Sequence, residues 1–221
     1  FKKNRVHPFV VPKLMNSAAA SHLSIKFKAK GPSFTVSTAC ASSNHAMGQA
    51  FKLIQTGSLL AAFTGGSESM LCFGGIKAWE GLRVMSPDVC RPFSANRNGM
   101  IQGEGSAIFI VEEYEHAKER GAKILAEIVG FAMNSDASDI VKPNLDGAKR
   151  TIINAMKDAN ISPKDIDYVN AHGTGTLLND KVECTAIKQV FEDNVQNLYV
   201  SSTKSMHGHL IGGSGAIELV A

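Results

Sequence analysis

Apolar residues at Met47, Ala50, Phe51 and Ile54 share one face of a 3.6-residue period that Gly57 closes, so ASSNHAMGQAFKLIQTG predicts a helix. FTVST (34–38), just before it, is β-branched and aromatic and predicts a strand. Upstream, a helix over roughly Met15 to Leu23 runs into SIKF and a Gly31-Pro32 turn. LLAAFTGGSES predicts a buried strand ending in a Gly pair, the strand-then-turn half of a βαβ unit. IKAWEGLRVM predicts a short helix, SPDVCRPFSANRNGM a loop and GSAIFIVEEY another buried strand. EHAKERGA predicts a helix stopped by Gly121, KILAEIVGFAMN a strand and SDASDIVKPNLDG a polar loop. AKRTIINAMKDANI is amphipathic, with a turn and an N-cap at Ser162 after it. YVNAHGTG reads as a strand into a Gly-rich turn, NDKVECTAIKQVFED as a helix and NLYVSST as a strand. Strands alternating with helices predict an α/β fold, with a soft seam near His116 to Gly121.

The totals narrow the function classes. The 221 residues are 44% apolar, 7% aromatic and 19% charged, an ordinary globular balance. A net charge of +3 is too mild to argue for nucleic acid but suits an acidic partner. Apart from Lys2-Lys3 and the Lys26, Lys28, Lys30 alternation, the basic residues are scattered over a solvated surface. Cys40, Cys72, Cys90 and Cys184 are widely spaced and form no CxxC, which predicts reduced thiols in a cytoplasmic compartment rather than a zinc knuckle. No apolar run is long enough for a membrane span. FKKNRVHPFVV lacks a signal-peptide pattern and does not begin with Met, so the chain reads as starting inside something longer.

Three stretches share one grammar, a β-rich run leading into a turn with a reactive side chain: VSTAC with Cys40, YVNAH with His172, and YVSSTKSMHGH with Lys204 and His209. In open α/β sheets, ligands bind at the carboxyl ends of strands. If these ends are neighbours, a thiol, two imidazoles and an ammonium converge. Cys40, at the mouth of a helix, is expected to have a lowered pKa from the free N–H groups and helix dipole; the alternative is a small buried residue at a tight turn. A thiolate attacks thioesters, and histidine N–H groups stabilise an oxyanion or enolate. A metal site on His172, His207 and His209 is a further alternative, as is a cysteine hydrolase using Cys40 and His172.

Together TACASS (38–43), NAHGTGT (170–176) followed by NDKVE (179–183), and SSTKSMHGHLIGGSGAIE (201–218) strongly resemble the β-ketoacyl-acyl carrier protein synthases of the thiolase-fold condensing enzymes. CRPFSANRNGMIQGEGSAIFIVEEYEHAKERGA (90–122) and VGFAMNSDA (129–137) are similar to the same family. The resemblance implies a layered αβαβα fold of two pseudo-symmetric halves, incomplete at both ends, divided here as 1–118 and 119–221. It implies a nucleophile at Cys40 that also supplies an oxyanion N–H, and His172 and His209 on the extender thioester carbonyl. Lys204 would act electrostatically, Glu183 would support the lysine loop, and Thr174 and Thr176 would bind the phosphopantetheine arm. Asn170, Glu183 and Glu218 would be the place for a structural monovalent cation. The implied reaction is decarboxylative Claisen condensation of an acyl chain on Cys40 with malonyl-acyl carrier protein, by a homodimer with no tightly bound cofactor.

Two departures stand out. The family's Gly-rich GFGG-type loop, with the second oxyanion N–H and a gating Phe, has no counterpart here. In SDASDIVKPNLDG, Asp139 and Val141 stand where family members often have His and Thr. A non-catalytic chain-length-factor-like partner would keep the fold but typically loses the cysteine, which is present here as Cys40.

Overall fold

The computed structural model describes residues 5–221, so the Lys2-Lys3 pair lies outside the described residues. Two compact units divide the chain at Ser37 and Thr38. The first holds α1 (Val10–Leu14) and α2 (Ala18–Phe27), the latter closed by Lys28 in the left-handed conformation. SIKF is thus the last turn of α2, and residues 34–37 join no ladder, so the predicted FTVST strand does not form. β-propensity makes a strand only when a neighbour offers N–H and C=O groups to pair with.

In the second unit, α3 (Ser42–Gln55) follows Cys40 directly, with Met47 and Ala50 buried as the period requires. β1 (Ala61–Glu68) follows, then α4 (Phe73–Gly81), β2 (Gly105–Glu112) and α5 (Tyr114–Glu119). β1 and β2 pair antiparallel from Ala61–Glu112 to Glu68–Gly105, which corrects the expected βαβ half. The Gly pair is not a terminal turn either, since Gly65 and Gly66 sit inside β1. A Cβ on Gly66 would lie 2.7 Å from Ser43 Cβ and 3.1 Å from Gly212 O, so glycine is what lets α3 and the 211–213 turn close on the strand. Both strands keep apolar side chains in the open, Ile108 and Ile110 among them, so they are less buried than their composition suggests. Residues 122–134 form no strand although KILAEIVGFAMN is strand-like, again for want of a ladder partner.

α6 (Leu145–Ala159) starts earlier than its amphipathic stretch because the Asn144 side chain accepts hydrogen bonds from Asp146 and Gly147 N–H. Ser162 opens a 3₁₀ turn, Pro163–Asp165, where the Asp165 carboxylate accepts from both the N–H and the hydroxyl of Ser162. β3 (Tyr168–Asn170), α7 (Leu177–Phe191) and β4 (Tyr199–Ser201) follow, with β3 and β4 parallel in register Tyr168–Tyr199 to Asn170–Ser201. Parallel neighbours need a crossover, and α7 is that crossover. Its Ile187, Val190 and Phe191 make a core with Met156 of α6 and Ala171. α8 (Lys204–His207) and α9 (Ser214–Val220) complete the described elements.

Candidate active site

Cys40 sits on a tight turn built from its immediate neighbours. Ala39 takes a left-handed φ of 49°, the Ser42 hydroxyl donates to Ala39 O at 2.7 Å, and Thr38 N–H donates to Ser42 Oγ at 2.9 Å. Holding a non-glycine residue there costs about 1 kcal/mol, offset by the turn's own hydrogen bonds. Burial raises the thiol pKa, against the lowering effects of Lys204 and of the thiol's own backbone N–H, while Glu218 and Glu68 reinforce the rise. The expected depression at a helix mouth is therefore overturned: desolvation outweighs the helix terminus.

His172 leaves the end of β3 in a turn whose amides point at α7. The Glu183 carboxylate accepts from His172 N–H at 2.6 Å and Gly173 N–H at 2.8 Å. Glu183 thus braces the histidine turn, whereas the ion partner of Lys204 is Glu218. Lys204 is fully buried, and its Nζ lies 3.4 Å from His172 Nδ1. An ammonium donates and never accepts, so His172 Nδ1 is an acceptor and its proton resides on Nε2.

His209 reaches the same tautomer by another route. Its Nδ1 accepts from Ile211 N–H at 3.1 Å and faces Ser214 Oγ at 2.8 Å. Leu210 N–H donates to Ser214 Oγ at 2.9 Å, which frees the hydroxyl proton for the ring. Burial first, then the positive charge of Lys204, pushes both imidazoles down: His172 well below its ordinary value, His209 to about 3. Both rings are therefore neutral near pH 7 and offer Nε2–H. The rings meet edge to face at 5.2 Å, and one ligand-capable atom from each of Cys40, His172 and His209 lies within 4.8 Å of the others.

His207 does not join them. Its Nδ1 lies 2.8 Å from Gly208 O and its Nε2 2.9 Å from Thr203 Oγ1. The three-histidine metal set thus does not assemble. The set that does assemble suits a metal poorly, because an imidazole ligates through an unprotonated nitrogen and each ring here spends its lone pair at Nδ1. The cation set also fits only in part. Asn170 Oδ1 is buried with no hydrogen-bond partner among the described residues, but Glu183 is spent on backbone amides and Glu218 on Lys204. Thr174 is buried and Thr176 half-buried, with their hydroxyls 2.8 Å apart. Asp139 caps a local turn, accepting from Val141 and Lys142 N–H.

The end of the predicted 86–100 loop and the three residues after it carry both histidine turns. Gly99 N–H donates to Gly175 O at 3.0 Å, and Arg97 donates to Thr176 O and Leu177 O. A few residues on, Ile101 O accepts from His209 N–H at 2.7 Å and Gly103 N–H donates to His209 O at 3.0 Å. A Cβ on Gly175 (φ 76°) would lie 2.7 Å from Gly99 O, so only glycine permits this approach. Buried Asp180 adds hydrogen bonds from Gly175 and Phe93 N–H. Ser214, Asp180, Arg97 and Glu218 as the lysine's partner do not stand out in the sequence. The available signals are a Ser in the Gly-rich turn after His209 and an Asp in the first turn of α7.

Comparison with known proteins identifies the family. Residues 2–117 match the family Beta-ketoacyl synthase, N-terminal domain, and residues 125–221 match Beta-ketoacyl synthase, C-terminal domain. Nodulation protein E of Rhizobium leguminosarum bv. trifolii is 48% identical over 217 residues, which cover 98% of this chain and 54% of that protein. 3-Oxoacyl-[acyl-carrier-protein] synthase 2 of Staphylococcus aureus is 43% identical over 223 residues, 98% of this chain and 55% of that protein. The chain spans about half the length of the curated relatives it matches. A solved type II PKS acyl-carrier protein in complex with its ketosynthase superposes at a TM-score of 0.93 and 35% identity, over 98% of this chain and 56% of that one. The α/β, thiolase-like ketosynthase fold expected from the motifs is the fold of this chain.

Proposed function

Because the chain belongs to the β-ketoacyl synthase family, we propose that it carries the centre of an elongating condensing enzyme. The observation behind this reading is the meeting of Cys40 with two neutral imidazoles, each with its Nδ1 lone pair engaged and its Nε2–H on offer. In the first step the Cys40 sulfur attacks the acyl thioester on a carrier protein. A new C–S bond forms, the carrier's C–S bond breaks, and the thiol proton leaves with the carrier sulfur. Lys204 offsets part of the cost of ionising this half-buried thiol.

In the second step the malonyl thioester loses CO2. The electron pair of the breaking C–C bond moves onto the thioester oxygen, where two Nε2–H donors in a dry site hold the enolate. Neutral donors fixed by Lys204 and Ser214 suit this role, since they need no proton transfer of their own. The enolate carbon then attacks the acyl group on Cys40, the C–S bond breaks and the thiolate is regenerated. The product is a β-ketoacyl chain two carbons longer. Thr174 and Thr176, next to His172 in sequence, are the hydroxyls proposed to meet the phosphopantetheine arm. Acyl carrier protein is the proposed partner, supported by the solved relative in complex with its acyl-carrier protein. A homodimer in a reducing, cytoplasmic compartment completes the reading, in keeping with four free cysteines. No helix among the described residues is long and apolar enough to cross a membrane.

The test is intact mass of the full-length protein after mixing with acyl-loaded carrier protein, beside Cys40→Ala. The expected result is an acyl adduct absent from the variant and consumed, with CO2 release, on adding malonyl-carrier protein. Hydrolysis of the adduct without decarboxylation would favour the cysteine hydrolase. A folded protein that forms no adduct would favour the chain-length-factor-like partner.

A further inference from the structure

Gln102 is 6% exposed, and among the described residues neither Oε1 nor Nε2 of its carboxamide has a hydrogen-bond partner. A buried amide left unpaired bears the full loss of its hydration, which an apolar side chain of the same length would avoid. The location gives the orphan meaning. Gln102 is the parallel bridge partner of His209, flanked by the two backbone hydrogen bonds at 2.7 and 3.0 Å that hang the histidine on this segment. Residues paired across a parallel bridge put their side chains on the same side, so the carboxamide stands on the side of the bridge that carries the His209 imidazole. On the other side, Met100 is fixed by Ser86 N–H and Val84 O, so the segment cannot rotate the amide out to water.

We propose that Gln102 is a specificity-determining residue of the condensing site, whose carboxamide hydrogen-bonds an oxygen function, a carbonyl or hydroxyl, on the acyl chain beside His209. This rests on the condensation reading above. The physical case is one of balance: the free protein bears the cost of an unpaired amide, and the loaded protein recovers it only if the ligand brings a hydrogen-bonding oxygen. A saturated chain recovers nothing there. Sites built to hydrogen-bond an oxygen discriminate strongly against ligands lacking one, because the buried partner is then stranded.

The experiment uses the full-length protein and Gln102→Met, an apolar side chain of matching length. Acylation and condensation are measured with two acyl groups on the same carrier, one saturated and one carrying a carbonyl at its third carbon. The variant should lose about tenfold or more in kcat/KM for the oxygenated chain and keep or gain activity on the saturated one. Its Tm should also rise as the stranded amide is removed. An equal loss on both chains would place the contact on the carrier arm or the scaffold and overturn the proposal. A lower Tm would mean that the amide has a partner in the free protein, and would overturn it equally. If the parent takes up neither chain, the condensation reading itself fails, while the Tm comparison still reports whether the amide is stranded.

Discussion

The turn at Cys40 and the two histidine turns reach one point by opposite means. Thr38, Ala39 and Ser42 hold the cysteine through contacts spanning three or four residues. The histidines are held from afar: His172 by Glu183 and by Lys204, 32 residues on, and His209 by the 101–103 segment, more than a hundred residues back in sequence. The contrast separates two properties. Presenting a nucleophile needs only a strained turn and a helix start. Fixing which ring nitrogen carries the proton needs a charge and a hydroxyl delivered by other parts of the fold. Damage to the histidine supports should therefore spread, and damage to the cysteine turn should stay local.

The largest test of that contrast is removal of the imidazoles. His172→Ala or His209→Ala should cut decarboxylation by about 10²–10³-fold, the usual loss of one oxyanion donor, while Cys40 still acylates. Equal loss of acylation, read by intact mass, would mean that the two regions are not separable. Next comes Lys204→Met. It strands the Glu218 carboxylate and should cost about 3–5 kcal/mol in denaturant unfolding. It should also slow iodoacetamide labelling of Cys40 at any given pH, because a charge that lowers the thiol pKa is gone. In the parent, labelling should keep accelerating above about pH 8.5, the ordinary thiol value.

Acid provides a test of middle size. His209 binds its proton near pH 3 when folded and near 6.5 when unfolded, so the unfolded state holds more protons between those values. Stability is therefore complete above 6.5 and falls on acidification by about 1.4 kcal/mol per pH unit. His209→Asn should flatten that slope in urea titrations across pH, and an unchanged slope would mean that His209 is not desolvated. The smallest effect belongs to the cysteine turn. Ala39→Gly relieves the left-handed strain and should change stability by no more than about 1 kcal/mol, with acylation intact. A large loss there would show that the turn depends on distant partners after all.

Legibility followed the same division. The helix after Cys40, the turn after β3 and the crossover α7 were readable because period, capping and glycine are local signals. The tautomers of His172 and His209 were not, since Lys204 and Ser214 act from other elements. Sequence placed the thiol at a helix mouth but could not weigh that against burial, which is a sum over the whole fold and reversed the expected shift. The strand-like FTVST and KILAEIVGFAMN failed for a related reason: strandedness belongs to a pair, and propensity describes one member.

The segment from Arg97 to Gly103 sets a rule of length. It grips the His172 turn at Gly99 and His209 at Ile101 and Gly103, so the number of residues between those grips fixes the offset between the two imidazoles. Substitutions along it leave that spacing alone, whereas a single inserted or deleted residue would turn Gln102 to the opposite face and shift one histidine against the other by a full strand step, about 3.3 Å. In lineages or designed libraries that keep this chemistry, gaps in the segment are selected against more strictly than substitutions at positions other than Arg97, Gly99 and Gln102.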